Sequence, residues 1–437
     1  MKMREDEAFR LFADLIRIPS VTATEGEEEI CAYLEQALQA CGAKTRRIAK
    51  TPERPNLLAE IRASHPSQPP LVLISHVDVV PAEADKWSHP PFSAEEADGR
   101  IWGRGTLDTK HLTAMELFAF VHLLGHEAEM NRDVRFLATI DEEQGSEYGM
   151  GYVRQTNPEL FEGAVVINEG GGFPLRINGR DYMMLTVGEK AVCRVRLRAE
   201  GTAGHASAPT EDQAMLKLAE GLKRVFENGE ELCCGSLATR ESMVGTVGSD
   251  EWDSAVGRDI LGYAGVCSIG MRNYSIGVRS NVIPGAVEAV LEFKLLPYAD
   301  EGEVKRYLDR HLRGTQVTWK MIGCEAGFES NKENSRLDEV TEILSEACRH
   351  NGFEGEVLPM LALGRTDGRF FAGTGSVVYG FSPVTMGDSF DRILPKVHGT
   401  DESILSSSFR FGLRVLDETI GKICGVWPRD SAREAAL

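Results

Sequence analysis

Short apolar runs alternate with helix-like stretches through the first part of this chain, and this alternation constrains the fold more than any other feature. The apolar runs are Asn56–Ile61, Leu71–Val80, Val134–Ile140 and Ala164–Ile167. Between them, apolar residues recur at helical spacing near His111–Leu124 and Glu147–Arg154. Strands that alternate with helices are typical of an α/β sheet covered on both faces, with ligands at the carboxyl ends of the strands. We therefore predict an α/β fold.

The pattern changes from Val187 onward. Ala191–Ala199 alternates apolar and charged side chains, which predicts a half-exposed antiparallel strand. A helix at Asp212–Phe226 and a strand at Ala286–Leu296 follow, and the alternation of helix and strand resumes at Asp300. Further helices are predicted at Glu27–Ala40, Ser335–His350 and Asp401–Cys424. The simplest organisation is one domain formed by residues 1–186 and 301–437, interrupted by a smaller α+β domain at residues 187–300.

Composition excludes several classes of protein. A length of 437 residues predicts two domains, since one core rarely grows so large. The formal net charge of -19 disfavours a nucleic-acid partner. No apolar run is long enough to cross a bilayer, and the N-terminus lacks the apolar core of a secretory signal, so we expect no membrane association. Nine scattered cysteines suggest reduced thiols and a cytoplasmic location.

Five clusters of polar residues carry the potential chemistry. They are Ser75–Asp78, Gly103–Lys110, Asp141–Glu143, Asn168–Gly172 and Val397–Thr400. A single histidine or acid at a strand end is usually a solvated loop residue, but carboxylates crowded behind apolar strands are unfavourable unless a cation compensates their charge. Histidines with carboxylates, and no Cys-x-x-Cys motif, favour zinc, with manganese or cobalt as substitutes. The spacing alone predicts a metal site.

These motifs, in this order and over nearly the whole chain, resemble the co-catalytic metallopeptidase family of glutamate carboxypeptidase, aminoacylase, carboxypeptidase S and succinyl-diaminopimelate desuccinylase. The stretch from His76 through Trp87 to Asp108-x-Lys110 is most similar to the carboxypeptidase S and aminoacylase branch. The resemblance implies a zinc-peptidase-like mixed sheet flanked by helices, in a catalytic domain interrupted by a dimerisation domain. It also implies a cis peptide bond at Asp108–Thr109.

The resemblance implies two zinc ions per chain. The implied roles are His76 and Glu169 on one zinc, Glu143 and His398 on the other, Asp108 bridging both, and Glu142 as general base. Two metals about 3.5–4 Å apart can hold one water, lower its pKa and polarise a carbonyl. Glu142 would take a proton from that water and return it to the leaving amine. Asp78, two residues after His76, would orient the imidazole ring.

Substrate-side roles also follow from the resemblance. His205 would reach into the active site of the partner subunit and stabilise an oxyanion, which implies a homodimer. Asn281 would hydrogen-bond the substrate carboxylate or the scissile carbonyl. Arg369, supported by Thr366, would hold a free carboxylate through two parallel hydrogen bonds, although a surface salt bridge is the alternative for this arginine. Lys294 stands where relatives carry an arginine, which leaves a preference for glutamate open.

The predicted function is hydrolysis of an amide or peptide bond next to a free carboxylate, as in a carboxypeptidase or an N-acyl-amino-acid amidohydrolase. The substrate would be a small N-acyl amino acid or a short peptide. An alternative is a dipeptidase or aminopeptidase on the same two-zinc site, which needs an acidic group for the substrate ammonium that the sequence does not identify. A catalytically silent scaffold is a further alternative, although such proteins usually lose a ligand or the base.

Overall fold

The structure is a computed structural model that describes residues 3–208, 210–232, 266–276, 281–330, 335–362 and 364–427. The described residues form two compact units, one from residues up to 187 and from 330 onward, the other from residues between 188 and 329. The helices are Glu5–Arg17, Gly26–Ala40, Lys110–Leu123, Met150–Thr156, Ala214–Glu227, Glu301–His311, Ser335–His350, Phe390–Ile393 and Ser406–Ile423. No helix among the described residues is both long and apolar enough to cross a membrane.

The strands are numbered in chain order. They are β1 (Lys44–Ala49), β2 (Pro55–Ile61), β3 (Leu71–His76), β4 (Glu95–Ala97), β5 (Arg100–Trp102), β6 (Val134–Thr139), β7 (Val165–Asn168), β8 (Pro174–Ile177), β9 (Arg180–Glu189), β10 (Ala191–Glu200), β11 (Gly204–His205), β12 (Ser268–Ile276), β13 (Val282–Ile283), β14 (Ala286–Leu295), β15 (Val317–Glu325), β16 (Phe328–Glu329), β17 (Glu356–Ala362), β18 (Val377–Gly380) and β19 (Ser403–Leu405).

The first unit is built on a mixed sheet with strand order β1-β2-β6-β3-β7-β18-β9, with β8 and β17 also paired to β9. β3 is parallel to β6 and β7, and β7 is parallel to β18, whereas β2 is antiparallel to β1 and β6. All six residues of β3 are buried, so both faces of this strand are covered. The predicted mixed sheet flanked by helices is confirmed.

The helix Lys110–Leu123 lies at the centre of the first unit. All but one of its residues are buried, since it is apolar around most of its circumference. It packs against β3 and β6, and against the helices Glu5–Arg17 and Ser406–Ile423. Phe12 and Phe409 stack between those two outer helices at a ring-centroid distance of 4.5 Å. This packing fixes the start of the central helix, directly after the Gly103–Thr109 loop.

Parallel pairing brings three strand ends to one edge of the sheet. β3 ends at His76, β6 ends just before Asp141, and β7 ends just before Glu169. Because these three strands run in the same direction, the residues that follow them share the carboxyl edge of the sheet. This topology positions the polar clusters that the sequence singled out.

The second unit contains an antiparallel sheet with strand order β12-β14-β10-β15. Burial alternates along β14 and along the second half of β10, as the alternating sequence predicts for a half-exposed strand. Helix Ala214–Glu227 covers the apolar face of β10 and β14. β11 and β13 form a separate two-stranded ribbon.

The second unit extends to Glu329, beyond the predicted boundary at residue 300. The reason is that β15 pairs antiparallel with β10, and helix Glu301–His311 packs on helix Ala214–Glu227. In the sequence, a helix followed by a strand resembles a return to the α/β pattern. The partner of that strand is decided by tertiary pairing, which the local pattern does not reveal.

The prediction that the cysteines are reduced is wrong for one pair. Cys193 on β10 and Cys324 on β15 lie directly opposite each other and form a disulfide. The two residues are 131 positions apart in the sequence. Their proximity depends on the register between two strands, so the scattered spacing of the cysteines gave no sign of it.

Candidate functional site

Five side chains meet at the carboxyl edge of the first unit's sheet. His76, Asp108 and Glu169 form one group, and Asp108, Glu143 and His398 form a second. Within each group the potential ligand atoms lie within 4.8 Å of one another. Asp108 belongs to both groups. The structure therefore brings together all five residues that the sequence predicted as metal ligands.

Asp108 stands between the two histidines. Its Oδ1 atom lies 3.0 Å from Nε2 of His76, and its Oδ2 atom lies 3.0 Å from Nε2 of His398. Nε2 of His76 is also 3.5 Å from Oε2 of Glu169, and Nε2 of His398 is 3.0 Å from Oε2 of Glu143. A carboxylate with one oxygen directed to each group has the arrangement of a bridging ligand.

Hydrogen bonds orient His76 for metal binding. Its Nδ1 atom lies 2.9 Å from the backbone carbonyl of Asp78, so Nδ1–H can donate a hydrogen bond to that oxygen while the Nε2 lone pair stays available. The Asp78 carboxylate accepts the backbone N–H groups of Glu142 and Glu143 at 3.2 and 3.3 Å, and the Thr22 hydroxyl at 2.8 Å. Asp78 thus connects His76 to the turn that carries Glu143.

The electrostatics of the site favour the binding of a cation. Burial raises the pKa of Glu142 well above its usual range, and the Glu169 carboxylate raises it further. Burial also raises the pKa of Glu169 to about 7. Burial alone would lower the pKa of His76, yet Glu169, Asp108 and Asp78 hold it well above its ordinary value. Carboxylates crowded with two imidazoles fit divalent ions with nitrogen and oxygen ligands.

The loop that carries Asp108 is held by Glu402, a residue that the sequence reasoning missed. The buried Glu402 carboxylate accepts the backbone N–H groups of Gly105, Leu107 and Asp108 at 3.2, 2.7 and 3.3 Å. It also pairs with the guanidinium of Arg104 at 2.6 Å. The next peptide bond, from Asp108 to residue 109, is cis, as the resemblance implied. The motif spacing did not reveal this contact, because Glu402 lies nearly 300 residues away in the chain.

The guanidinium of Arg369 is directed at Glu142 rather than at open space. Its Nη1 atom lies 3.4 Å from Oε1 of Glu142 and donates to the backbone carbonyl of Thr366 at 2.6 Å. Its Nη2 atom donates to Oγ of Ser146 at 2.9 Å. The side chain is 9% exposed. These donors contact protein oxygens in the structure, and the predicted grip of Arg369 on a substrate carboxylate stays a prediction.

A cavity of about 310 Å³ opens beside the two ligand groups, within the first unit. Acidic lining residues are Asp108, Glu142, Glu143 and Glu169. Apolar lining residues are Leu107, Phe173, Met184, Met360, Ala362, Phe390, Leu394 and Val397. Thr366, predicted as a substrate-binding residue, lines the cavity, and so does its neighbour Arg365. A reactive edge beside an apolar wall suits a small molecule that is partly hydrophobic.

His205 and Asn281 lie together in the second unit. β11 and β13 pair His205 with Val282, and the backbone N–H of Ala206 donates to the carbonyl of Asn281 at 3.1 Å. Both predicted residues are exposed, and Nδ1 of His205 lies 2.8 Å from Oγ of Ser207. Their proximity within the ribbon was not predicted, and their roles stay predictions.

Comparison with known proteins gives a consistent result. The model of the peptidase family M20/M25/M40 matches residues 72–422. The chain is 25% identical to human N-fatty-acyl-amino acid synthase/hydrolase PM20D1, over 93% of this chain and 85% of the relative. It is 24% identical to human aminoacylase-1, over 98% of both chains. Among solved structures, the M20 family metallo-carboxypeptidase Sso-CP2 from Sulfolobus solfataricus matches with a TM-score of 0.73 and 21% identity, over 96% of this chain and 100% of the other.

Proposed function

We propose a substrate class for this chain, which belongs to the peptidase family M20/M25/M40 and is a metallohydrolase. It hydrolyses the amide bond of an N-acyl amino acid or of a short peptide with a free carboxylate. The observation that carries this proposal is the Asp108 carboxylate, with one oxygen directed to each histidine and Glu142 lining the same cavity. The aminoacylase and fatty-acyl-amino-acid hydrolase relatives support the N-acyl substrate class.

The proposed cofactor is a pair of zinc ions, with cobalt or manganese as possible substitutes. His76 and Glu169 would hold one ion, Glu143 and His398 the other, and Asp108 would contact both. When bound, such a pair polarises a carbonyl group and lowers the pKa of water. The fit rests on the ligand types and on their common location at one edge of the sheet.

The chain's own groups would then move the proton. Glu142 is the proposed base, because its carboxylate lines the cavity and belongs to neither ligand group. A base in this position accepts a proton from the attacking water and delivers it to the leaving amine. Asp78 keeps the His76 ring in place, and Arg369 holds the Glu142 carboxylate through its contact at 3.4 Å. In the proposed homodimer, His205 and Asn281 of the second unit contact the substrate.

A free-amine substrate is less well matched to this cavity. An aminopeptidase or dipeptidase needs a carboxylate for the substrate ammonium group. Among the described residues that line the cavity, every acid already has a proposed role as ligand or base. The apolar wall, in contrast, matches an acyl group, so an N-acyl amino acid is the preferred substrate class.

The decisive experiment measures metal content together with hydrolysis, before and after chelation. The purified protein is assayed on N-acetyl and N-octanoyl amino acids and on the corresponding free-amine dipeptides. We expect about two metals per chain, cleavage of the N-acyl compounds, and loss of activity on chelation that added zinc reverses. Activity that is indifferent to chelation would contradict the metal site, and cleavage of dipeptides alone would favour the peptidase alternative.

A further inference from the structure

The proposed function leaves the first acid of the run Asp141–Glu143 without a role. Asp141 belongs to neither of the two ligand groups found among the described residues, yet it is only 3% exposed. A buried carboxylate is unfavourable unless a cation or several hydrogen-bond donors compensate its charge. Its backbone also has a φ of 65°, in the left-handed region that few residues other than glycine adopt. Asp141 therefore needs partners that stabilise both its charge and its backbone.

Arg54 supplies the compensating charge. Its Nη2 atom donates to Oδ1 of Asp141 at 2.7 Å, and Oδ2 of Asp141 accepts the backbone N–H of Tyr148 at 2.9 Å. The Arg54 guanidinium also lies over the Tyr148 ring, with Cζ 4.2 Å from the ring centroid. Asp141 precedes Glu142 and Glu143, and Tyr148 follows them. The Asp141 carboxylate thus joins the two ends of the segment that carries the proposed base and one proposed ligand.

A second buried acid fixes the guanidinium itself. Nε and Nη2 of Arg54 donate to the two oxygens of the fully buried Glu27 side chain, at 2.5 and 2.9 Å. Glu27 also accepts the backbone N–H of Ala23 at 3.1 Å. A guanidinium has enough donors in a fixed plane to bind two carboxylates at once, which an ammonium group matches poorly. Arg54 is therefore a rigid connection between Glu27 and Asp141.

The two ligand groups depend on this connection to different degrees. Glu143 lies in the short helical turn Glu142–Gln144, directly after Asp141. A turn of this length has few hydrogen bonds of its own, so contacts at its ends decide where it lies. His76 and Glu169, in contrast, lie at or directly after the ends of strands in the sheet. Loss of the ion pair with Asp141 should displace Glu143 and leave the other ligand group in place.

We propose that Arg54 is a positioning residue for the metal site. Through Asp141 it holds the turn in the place where Glu143 can bind a metal ion together with His398 and where Glu142 lines the cavity. This inference rests on the proposed function, because it concerns the metal ion that Glu143 and His398 would share.

The first test compares R54A and R54K with R47A by zinc titration of the metal-free protein. We expect R54A to bind one zinc ion as wild type does and the other about 10- to 100-fold more weakly, as is typical when a group that orients a ligand is lost. R54K should recover part of this affinity, because it keeps the charge but not the paired donors. R47A is the matched control, since Arg47 pairs with Glu28 and Glu35 on the same helix as Glu27.

The second test measures the turn itself, by hydrogen exchange of the metal-free proteins. Peptides that contain Tyr148 should exchange faster in R54A than in wild type, because the Tyr148 N–H donates to Asp141. Peptides from the strand Leu71–His76 should exchange at the wild-type rate in the same samples. The losses of zinc affinity in R54A and D141N should not add in the double variant, because both changes break the same ion pair.

Equal weakening of both zinc ions in R54A, or affinities and exchange that match wild type, would overturn the assignment. If wild type binds two ions but cleaves none of the amides, the proposed function fails, while the differences in affinity and exchange still support the inference. If wild type cleaves N-acyl amino acids and R54A behaves as R47A does, the inference fails and the proposed function stands. Melting curves verify that each variant is folded, and R54K carries the same comparison if R54A is not.

Discussion

Glu142 is the residue on which the proposed chemistry depends most directly. Its side chain is 11% exposed and lines the cavity, and its backbone N–H is fixed by Asp78 at 3.2 Å. Burial and the Glu169 carboxylate raise its pKa above the usual range. The neighbouring Glu143 instead faces His398. Adjacent acids in one turn thus have different surroundings and different proposed roles.

Replacing Glu142 with glutamine should reduce kcat by about 10²- to 10⁴-fold, because the amide keeps the shape but cannot accept the proton. The metal content should stay at the wild-type value, since Glu142 is not among the ligand groups. E147Q is the matched control, because Glu147 is exposed and pairs with Lys50 at the protein surface. Steady-state kinetics with elemental analysis checks both parts. Retention of more than half of kcat in E142Q would remove Glu142 as the base.

At the scale of single residues, the sequence predicted which five side chains the structure brings together at the sheet edge, whereas it did not predict the surroundings of Arg369. His76, Asp108 and Glu169 were predicted because they occur in motifs whose order resembles a known family. The motif Gly-Arg-Thr-Asp-Gly-Arg contains two arginines, and the resemblance selected Arg369. Arg369 lies in the short helical segment after β17 that Thr366 caps. That geometry directs Arg369 to Glu142, and the motif alone does not show it.

Among the elements, the loop that carries Asp108 depends most on a residue that is distant in the sequence. Three backbone N–H groups of this loop converge on the Glu402 carboxylate. Glu402 also follows His398 by four residues, and Arg104 donates to the backbone carbonyl of Gly399 at 2.9 Å. One carboxylate therefore ties the segment of Asp108 to the segment of His398, two of the proposed ligands.

Replacing Glu402 with glutamine should weaken metal binding by about 10- to 100-fold, as is typical when a group that orients a ligand is lost. The amide offers a single acceptor oxygen to the loop and leaves the Arg104 guanidinium buried without its counter-charge. Competition with a coloured chelator measures the zinc affinity. E96Q, on the exposed strand β4, should behave as wild type. An unchanged zinc affinity in E402Q would show that the loop keeps its shape without the Glu402 carboxylate.

The positions of most elements followed from periodicity, and the errors occurred where tertiary contacts intervene. The run Leu71–Val80 forms a strand only to His76, because the chain then turns and Val79 makes an isolated bridge to Val21. The predicted helix Asp401–Cys424 begins instead at Ser406, because β19 pairs with β5 just before it. Periodicity reports which side chains are buried, whereas the ends of an element depend on what it pairs with.

For the whole molecule, removal of metal should destabilise the fold. Without bound cations, the carboxylates of the first unit repel one another in a buried cluster. A ligand present at a thousand times its Kd stabilises the native state by about 4 kcal/mol, so chelation should lower the melting temperature by roughly 5 °C. Differential scanning calorimetry with and without chelator measures the shift, and added zinc should restore it. An unchanged melting temperature on verified metal loss would contradict the cluster's dependence on cations.

The predicted homodimer can be tested by complementation. H205A and E142Q should each be nearly inactive, but a mixture of the two should regain about a quarter of wild-type activity if His205 acts in the partner's site, since half of the random dimers then hold one intact site. Subunits are mixed under dissociating conditions and recombined, and sedimentation gives the oligomeric state. No recovery from a demonstrated mixed dimer would place His205 and Glu142 of the same chain in one site.

Among the described residues, the chain leaves the first unit after Val187 and returns to it at Ser330. The backbone N–H of Ser330 donates to the carbonyl of Val187 at 2.7 Å, so the last residue before the insertion and the first residue after it are hydrogen-bonded neighbours. An ancestral chain without the insertion needs little more than a tight connection here to keep the same sheet. A change in the length of the inserted segment therefore need not displace the strand ends that carry the proposed ligands. The proposed metal site and the inserted segment are thus connected through a short hydrogen-bonded junction, so each can change with little effect on the other.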